Sequence, residues 1–143
     1  MAAAPFDSVF RLADTITPEQ PDSVPIGLIS GIDFAEDGSF VISDARSARV
    51  MRYAADGRLL TRMGRQGYGP GEFQLAMFPV LDERGRIHAL DFHQPRITVF
   101  NADGSFVRTV PVGHLGNRIS EVAVLPGGDY LIIAFHGEKQ DLL

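Results

Sequence analysis

The fold is decided by residues 37–57, which read DGSFVISDARSARVMRYAADG and recur in outline at residues 84–104 as RGRIHALDFHQPRITVFNADG. Four features of the first segment return 47 positions later, as from Gly38 to Gly85. The other three pairs are Asp44 and Asp91, Arg49 and Arg96, and Gly57 and Gly104. A repeat of this length predicts an architecture in which each unit is one supersecondary structure.

Each unit contains four short apolar runs, and turn signals separate them. The runs cover residues 31–35, 40–43, 50–54 and 59–63, and then 79–82, 87–90, 97–100 and 106–110. A glycine stands where each hairpin turn needs a positive φ, so Gly38, Gly57, Gly85 and Gly104 are expected to be structural. A third unit begins at residue 121, with runs at 122–125 and 130–135, and has two strands only. The pattern predicts an all-β chain of four-stranded antiparallel blades, a partial β-propeller.

Composition excludes several classes of protein. The 143 residues carry a net charge of −5 and no cysteine, so we expect neither a nucleic-acid partner nor a disulfide or thiolate metal site. No run approaches the roughly 20 apolar residues that span a bilayer. The start, MAAAP, lacks the basic and apolar regions of a signal peptide, so no signal peptide is expected in this chain.

One segment carries a family resemblance. Residues 64–73, GRQGYGPGEF, follow a fourth strand, an Asp-Gly turn precedes them, and Asp-x-x-x-x-Arg follows each second strand. Over residues 26–135 the chain resembles six-bladed β-propellers of the NHL-repeat type. Such propellers include binding scaffolds, lyases and hydrolases, so the resemblance implies a fold more than a function. It also favours a secreted or periplasmic location.

The repeat divides the chain into four parts. Residues 1–26 form an N-terminal segment in which 9–16 is a candidate outer strand that closes a ring; 27–73 form blade 1 and its glycine-rich connector; 74–120 form blade 2 and its connector; 121–143 form an incomplete blade 3. Six blades of this period need about 280 residues. The uncovered faces therefore require the remaining blades or a second copy, unless the chain stands as a strained open stack.

Candidate binding residues lie on the rim that carries the turns after each second strand and the connectors between blades. In those turns Asp44 and Arg49, like Asp91 and Arg96, are spaced to face each other, with the carboxylate accepting turn N–H groups and pairing with the guanidinium. Their recurrence favours a structural role. In the connector we expect Tyr68 and Phe73 to be packing residues, and four side chains of the segment remain candidates for ligand contact: Arg65, Gln66, Tyr68 and Glu72.

Histidines give the most specific signal of a metal site. His93 and His136 occupy equivalent positions in successive units, Arg46 occupies that position in the first unit, and His114 lies on the connector between them. Three imidazoles on one rim suffice for a catalytic zinc with an open position. Similar propeller lyases that act on amidated peptide precursors use a histidine-bound metal near the axis, although the interpretation of these residues as ordinary surface histidines is preferred.

The remaining polar residues in the strands and turns are expected to be structural. His88 lies within a strand and is predicted to be a packed core histidine. The pairs Glu36-Asp37 and Asp82-Glu83 border hairpin turns on the opposite rim and are predicted to be solvated. No catalytic nucleophile is identified, because Gly-x-Ser-x-Gly and a spaced Ser, His and Asp set are absent from the sequence.

The leading hypothesis is a non-enzymatic propeller scaffold that binds a protein, peptide or glycan through its rim, with Arg46 and His93 joining the connector residues. It uses no cofactor. The alternative is a metal-dependent lyase or hydrolase with zinc or calcium at His93, His114 and His136, active only in the completed ring.

Overall fold

The computed structural model describes residues 14–20, 25–116 and 118–135. These residues form ten β-strands and one short 3-10 helix, and none of them is in an α-helix. Blade 1 contains β1 (Ile29–Phe34), β2 (Phe40–Asp44), β3 (Arg49–Tyr53) and β4 (Leu59–Met63). Blade 2 contains β5 (Ala76–Leu81), β6 (Ile87–Asp91), β7 (Arg96–Phe100) and β8 (Phe106–Pro111). The 3-10 helix (Gly113–Leu115) leads to blade 3, which contains β9 (Arg118–Val124) and β10 (Tyr130–Phe135).

Each blade is an antiparallel sheet whose strands pair in chain order. The hairpin glycines have positive φ, for example +81° at Gly38 and +70° at Gly85. Each of these two N–H groups donates to the carbonyl three residues earlier, Ala35 and Asp82 respectively. The predicted all-β architecture of four-stranded blades is therefore confirmed.

The inner strands begin earlier than the apolar runs suggest, because each carries an irregularity. Ser30 in β1 and Ser120 in β9 stand opposite no single partner in the register, and in β5 Phe78 and Pro79 interrupt the pairing between Met77 and Val80. Phe78 has a φ of +46°, a left-handed conformation that costs a bulky residue strain. A bulge breaks the two-residue alternation, which explains why the sequence pattern detected only the later half of these strands.

Two apolar layers hold the blades together. Joint 1–2, between blades 1 and 2, contains Val41, Val50 and Phe73 on one side and Ile87 and Phe100 on the other, along with neighbouring apolar residues. Joint 2–3, between blades 2 and 3, is a second cluster of Leu90, Ile97, Val99, Val112, Ile119 and Val122, with Phe78 and Ile132 packed at its margin. Propeller blades gain most of their stability from such contacts between neighbours.

The two flanks of this arc expose large apolar side chains. Leu28, Ile29, Ile32 and Phe34 are 50–58% exposed at the blade 1 end, and Leu131, Ile133 and Phe135 are 49–57% exposed at the blade 3 end. Exposed apolar strands of this size normally meet another part of the protein or a partner.

The N-terminal segment contacts the outer strand of blade 1. The Glu19 N–H donates to the Gly57 carbonyl at 2.8 Å, and the Leu59 N–H donates to the Glu19 carboxylate at 2.9 Å. Residues 14–20 form no strand. Most of the predicted ring-closing stretch, residues 9–13, lies outside the described residues.

Candidate functional site

The connector between blades 1 and 2, residues 64–73, presents the largest set of predicted ligand-contacting side chains. Tyr68 is 74% exposed, the Arg65 side chain is 80% exposed, and Gln66 is exposed beside them. The neighbouring β6–β7 turn adds the exposed His93. We call Arg65, Gln66, Tyr68 and His93 the connector surface.

Glu72 folds the connector back on itself. Its carboxylate accepts hydrogen bonds from the Gly69 N–H at 2.8 Å and from Arg65 Nε at 2.7 Å. These two bonds hold the pKa of Glu72 below its usual value. A Cβ at Gly67 would collide with this carboxylate, so the glycine is required for close approach. Glu72 therefore supports the connector surface from below, with a side chain that is only 20% exposed.

Blade 2 fixes the connector from the other side. Arg96 Nη2 donates to the carbonyls of Gly69 and Glu72 at 3.0 and 2.8 Å, and Nη1 donates to that of Tyr68 at 3.3 Å. The Gln94 amide donates to the Gly67 carbonyl at 3.3 Å, which places the β6–β7 turn, and His93 with it, beside the connector. A guanidinium that satisfies three carbonyls leaves this loop little conformational freedom.

Asp44 organises the β2–β3 turn. Its carboxylate accepts the N–H groups of Gly27, Leu28 and Arg46 at 3.0–3.1 Å and the Ser47 hydroxyl at 2.6 Å. Burial opposes ionisation of this carboxyl, but these hydrogen bonds outweigh it and hold the pKa of Asp44 below its usual value. The Arg49 guanidinium lies 3.7 Å away.

Asp91 repeats the arrangement in blade 2, with one difference. It accepts the N–H groups of Gln74, Leu75, His93 and Gln94 at 2.8–3.2 Å. In the described residues no ion pair joins Asp91 to Arg96, because that guanidinium is directed to the connector carbonyls. The arginine at this repeat position thus pairs with the turn carboxylate in blade 1, as Arg49, and anchors the connector in blade 2, as Arg96.

The two aromatic residues of the connector differ in burial. Phe73 is fully buried in joint 1–2, with its ring 6.0 Å from that of Phe100, as predicted for a packing residue. The prediction that Tyr68 also packs is wrong, because its ring stands in solvent at the tip of the connector. The Gly64 Cα lies so close to the Phe73 ring that a Cβ at this position would collide with it, so the Phe73 ring fills the buried side of the connector.

The other predicted site residues lie apart from the connector surface. Arg46 is exposed on the β2–β3 turn, where its side chain lies over Gly27. His114 is exposed on the 3-10 helix, and Val112, which precedes that helix, donates its N–H to the Pro95 carbonyl of the β6–β7 turn at 2.9 Å. His136 lies outside the described residues. Among those that are described, no three His, Cys, Asp or Glu side chains gather in a way that could hold a metal ion. The three-histidine site stays a prediction.

Comparison with known proteins identifies the family. Residues 2–136 match the model of the DUF5128 family, which is described as a 6-bladed beta-propeller. This chain belongs to that family of six-bladed propellers. None of the curated proteins matches it significantly.

Two solved structures show the same propeller fold. One is the "Putative exported protein" BF0058 of Bacteroides fragilis NCTC 9343, with 24% identity over 82% of this chain and a TM-score of 0.61. The other is a streptogramin B lyase, with 16% identity over 77% of this chain and a TM-score of 0.60. The propeller chain spans 32% and 35% of their respective lengths, about a third of each. The finer resemblance to NHL-repeat propellers stays a prediction.

The part of the propeller that the structure describes contains no helix long and apolar enough to cross a membrane.

The two rims of the propeller differ in exposed charge. On the rim of the connector surface, Asp44 and Asp91 are fully buried and Glu72 is paired with Arg65. Its exposed charged groups in the described loops and strand ends are Arg46, Arg118 and Arg65, of which Arg65 is the partner of Glu72. The hairpin turns of the opposite rim expose Glu36, Asp37, Asp56, Glu83, Asp103 and Asp129 against Arg58 and Arg84. The acidic total of the chain therefore hides one rim whose exposed charges are positive.

Sequence reasoning missed a polar cluster in joint 2–3. Asp82, predicted to be solvated, has a side chain only 6% exposed and contacts both Arg86 and His88. His88 is 1% exposed, as predicted for a core histidine, and its second ring nitrogen contacts the Tyr130 hydroxyl of blade 3. The signal was available in the repeat, since blade 1 has Ala35 and Val41 where blade 2 has Asp82 and His88.

Proposed function

We propose that this propeller is a non-enzymatic scaffold whose connector surface binds a protein, peptide or glycan partner. The observation that carries the proposal is the contrast between exposed side chains and fixed backbone. Tyr68 and Arg65 project into solvent, while Glu72 and Arg96 hold the backbone beneath them. A loop that is ordered before binding loses little conformational entropy when it binds.

The charge of this rim supports a partner that presents anionic groups. The buried carboxylates of Asp44 and Asp91 are satisfied by turn N–H groups, so they contribute little repulsion at the surface. Arg46 and Arg118 remain to attract negative charge, Arg65 shares its charge with Glu72, and Tyr68 supplies a flat apolar face in the same connector. Complementary charge of this kind directs association and selects between partners.

The uncovered flanks support completion of the six-bladed ring. A blade normally buries both faces against neighbours, and the strands β1 and β10 leave apolar side chains half-exposed. We propose that further blades, or a second copy of this chain, cover them. Two and a half blades in each of two copies supply fewer than six, which favours further blades. A secreted or periplasmic location agrees with the exported neighbour.

A matched pair of variants tests the binding proposal. We expect R46Q/R65Q, on the connector rim, to bind immobilised polygalacturonate or poly-L-glutamate about tenfold more weakly than the parent protein, a loss of about 1.4 kcal/mol. R58Q/R84Q makes the same change in net charge on the opposite rim and should bind within twofold of the parent. Neutral dextran is the background surface in this binding assay, read by biolayer interferometry.

Two outcomes would contradict the proposal. Equal losses in both double variants would mean that bulk charge, and not the rim, drives binding. Failure of the parent protein to bind either anionic polymer would reject the anionic partner. Tyr68→Ala adds a further discrimination, because a loss without a change of charge requires direct contact at the connector surface.

The alternative function is a metal-dependent lyase or hydrolase that needs the completed ring. One observation favours it: His93 and His114 lie on loops that are hydrogen-bonded to each other through Pro95 and Val112. Elemental analysis for zinc and calcium decides the point. About one metal ion per chain, lost in H93A/H114A, would support this function; the same trace content in both proteins would reject it.

A further inference from the structure

Joint 2–3 contains a continuous chain of polar groups that crosses from one blade to the next. Arg86 Nε donates to Asp82 Oδ2 at 2.6 Å, and the same oxygen lies 3.2 Å from His88 Nε2. His88 Nδ1 lies 2.8 Å from the Tyr130 hydroxyl of β10. His88 is therefore the link between a blade 2 carboxylate and a blade 3 tyrosine.

The partners determine where the protons lie. Asp82 accepts the N–H groups of Arg84 and Arg86, both at 2.9 Å, as well as the Arg86 side chain. Burial alone would raise the pKa of Asp82, but these bonds outweigh it and hold the pKa below its usual value, so the carboxylate is ionised. An ionised carboxylate only accepts, which requires the proton of neutral His88 to lie on Nε2. Nδ1 then accepts the proton of Tyr130.

Joint 1–2 shows what the same position does without this cluster. The Ala35 N–H donates to the Ser39 carbonyl at 2.8 Å, and the Asp82 N–H donates to the Arg86 carbonyl at 3.0 Å. The two hairpin turns therefore have the same backbone hydrogen bond. Val41 stands at the position of His88 and packs in one cluster with Ile87, which stands at the position of Tyr130. The polar cluster therefore replaces an apolar contact of the same geometry.

We propose that the Asp82–His88–Tyr130 cluster makes joint 2–3 acid-sensitive, in that protonation of His88 weakens the attachment of blade 3 to blade 2. The inference is independent of whether the connector surface binds a partner. It assigns these residues a conformational role that the repeat does not require, because joint 1–2 is built without them.

Protonation of His88 disturbs every contact that the ring makes. Nδ1 would become a donor that meets the Tyr130 hydroxyl, and the Tyr130 proton would lose its acceptor. The charged groups that face the ring are Asp82 and Arg86 from the β5–β6 turn and Arg108 from β8, with Tyr130 from β10. Burial lowers the pKa of His88, the two guanidinium groups add to this effect, and Asp82 opposes it only in part.

Hydrogen exchange of the full chain, read by mass spectrometry and corrected for intrinsic rates, tests the proposal. Between pH 7.5 and 5.5 we expect the opening of β9 and β10 to increase several-fold relative to β2 and β3, because the opened state binds a proton more readily than the buried His88 does. The variant D82A/H88V/Y130I copies the residues of joint 1–2 into joint 2–3. In it the two regions should respond equally to pH.

Two further variants keep the test decisive if the triple variant folds poorly. His88→Gln keeps a donor for Asp82 but cannot titrate, and it should also remove the excess opening of β9 and β10. His93→Ala removes an exposed histidine and should leave that excess unchanged. No relative opening in the parent protein at pH 5.5, or an undiminished effect in His88→Gln, would overturn the proposal.

Discussion

Joint 1–2 and joint 2–3 both contain an apolar layer, but they differ in chemistry at one set of equivalent positions. In the first, Val41 packs with Ile87 and Phe73; in the second, His88 is hydrogen-bonded to Asp82 and Tyr130. Apolar packing is tolerant of pH, whereas a buried polar network depends on every member keeping its protonation state. The repeat therefore sets the geometry of both joints, and the residues that depart from it, such as His88 in place of Val41, make one joint sensitive to pH.

The largest effect on the free energy of unfolding is expected in joint 1–2. Phe73→Ala should lower the free energy of unfolding by about 3–5 kcal/mol, because it removes a fully buried ring and leaves a cavity. Tyr68→Ala, in the same connector, should change it by less than about 0.5 kcal/mol, because the Tyr68 ring is in solvent. Urea denaturation followed by circular dichroism measures both. Similar losses for the two variants would show that Phe73 does not hold the blades together.

Joint 2–3 should be destabilised when Asp82 loses its charge. Asp82→Asn keeps the shape of the side chain but removes the charge that pairs with Arg86 and orients His88. We expect a loss of about 2–3 kcal/mol by the same measurement, since a buried donor and a guanidinium lose their partner. Asp103→Asn, in an exposed turn of blade 2, is the control and should cost far less. An Asp82 variant as stable as the parent would reduce the cluster to a surface contact.

Acid should destabilise the chain in two steps. The folded pKa of His88 lies below 6.5, so the unfolded state binds the proton first and stability falls as the pH drops below 6.5. Asp82 also has a lowered pKa, so its contribution is present above pH 3.8 and is lost below that value. We expect a loss of about 1.4 kcal/mol for each pKa unit by which His88 is shifted. Denaturation midpoints of the parent and His88→Val at pH 7.5, 5.5 and 3.0 separate the steps; identical profiles would contradict the assignment to His88.

A smaller effect is expected from the hydroxyl that crosses the joint. Tyr130→Phe removes the donor to His88 Nδ1 and leaves the ring packed, with an expected loss of about 1 kcal/mol. Tyr68→Phe removes an exposed hydroxyl and is the matched control. The losses for Tyr130→Phe and Tyr68→Phe differ by only about 1 kcal/mol, so a double-mutant cycle of Tyr130→Phe with His88→Val gives the sharper result. No coupling energy between positions 88 and 130 would contradict the contact.

Sequence alone predicted the blades because their determinants are local. The Asp-Gly turns, the short apolar runs and the repeat each specify a hairpin without reference to the rest of the chain. The bulges at Ser30, Phe78 and Ser120 were not predictable in this way, because contacts between inner strands decide them.

The candidate site was only partly predictable for a similar reason. Exposure of Arg65 and Gln66 followed from their place in a connector, but the direction of Tyr68 depends on which face of the connector Phe73 occupies. The environment of Asp82 depends on Tyr130 from the next blade, 48 positions later in the chain. Comparison of equivalent positions, Ala35 with Asp82 and Val41 with His88, is the sequence signal that would have found the cluster.

Joint 2–3 depends on a neutral His88 that donates from Nε2 and accepts at Nδ1. Nitrogen-15 NMR of the His88 ring, titrated with pH, reports both the tautomer and the pKa. We predict the Nε2–H tautomer at neutral pH and a titration midpoint below 6.5. A midpoint above 6.5, or a proton on Nδ1, would contradict the account of how the two blades are held together.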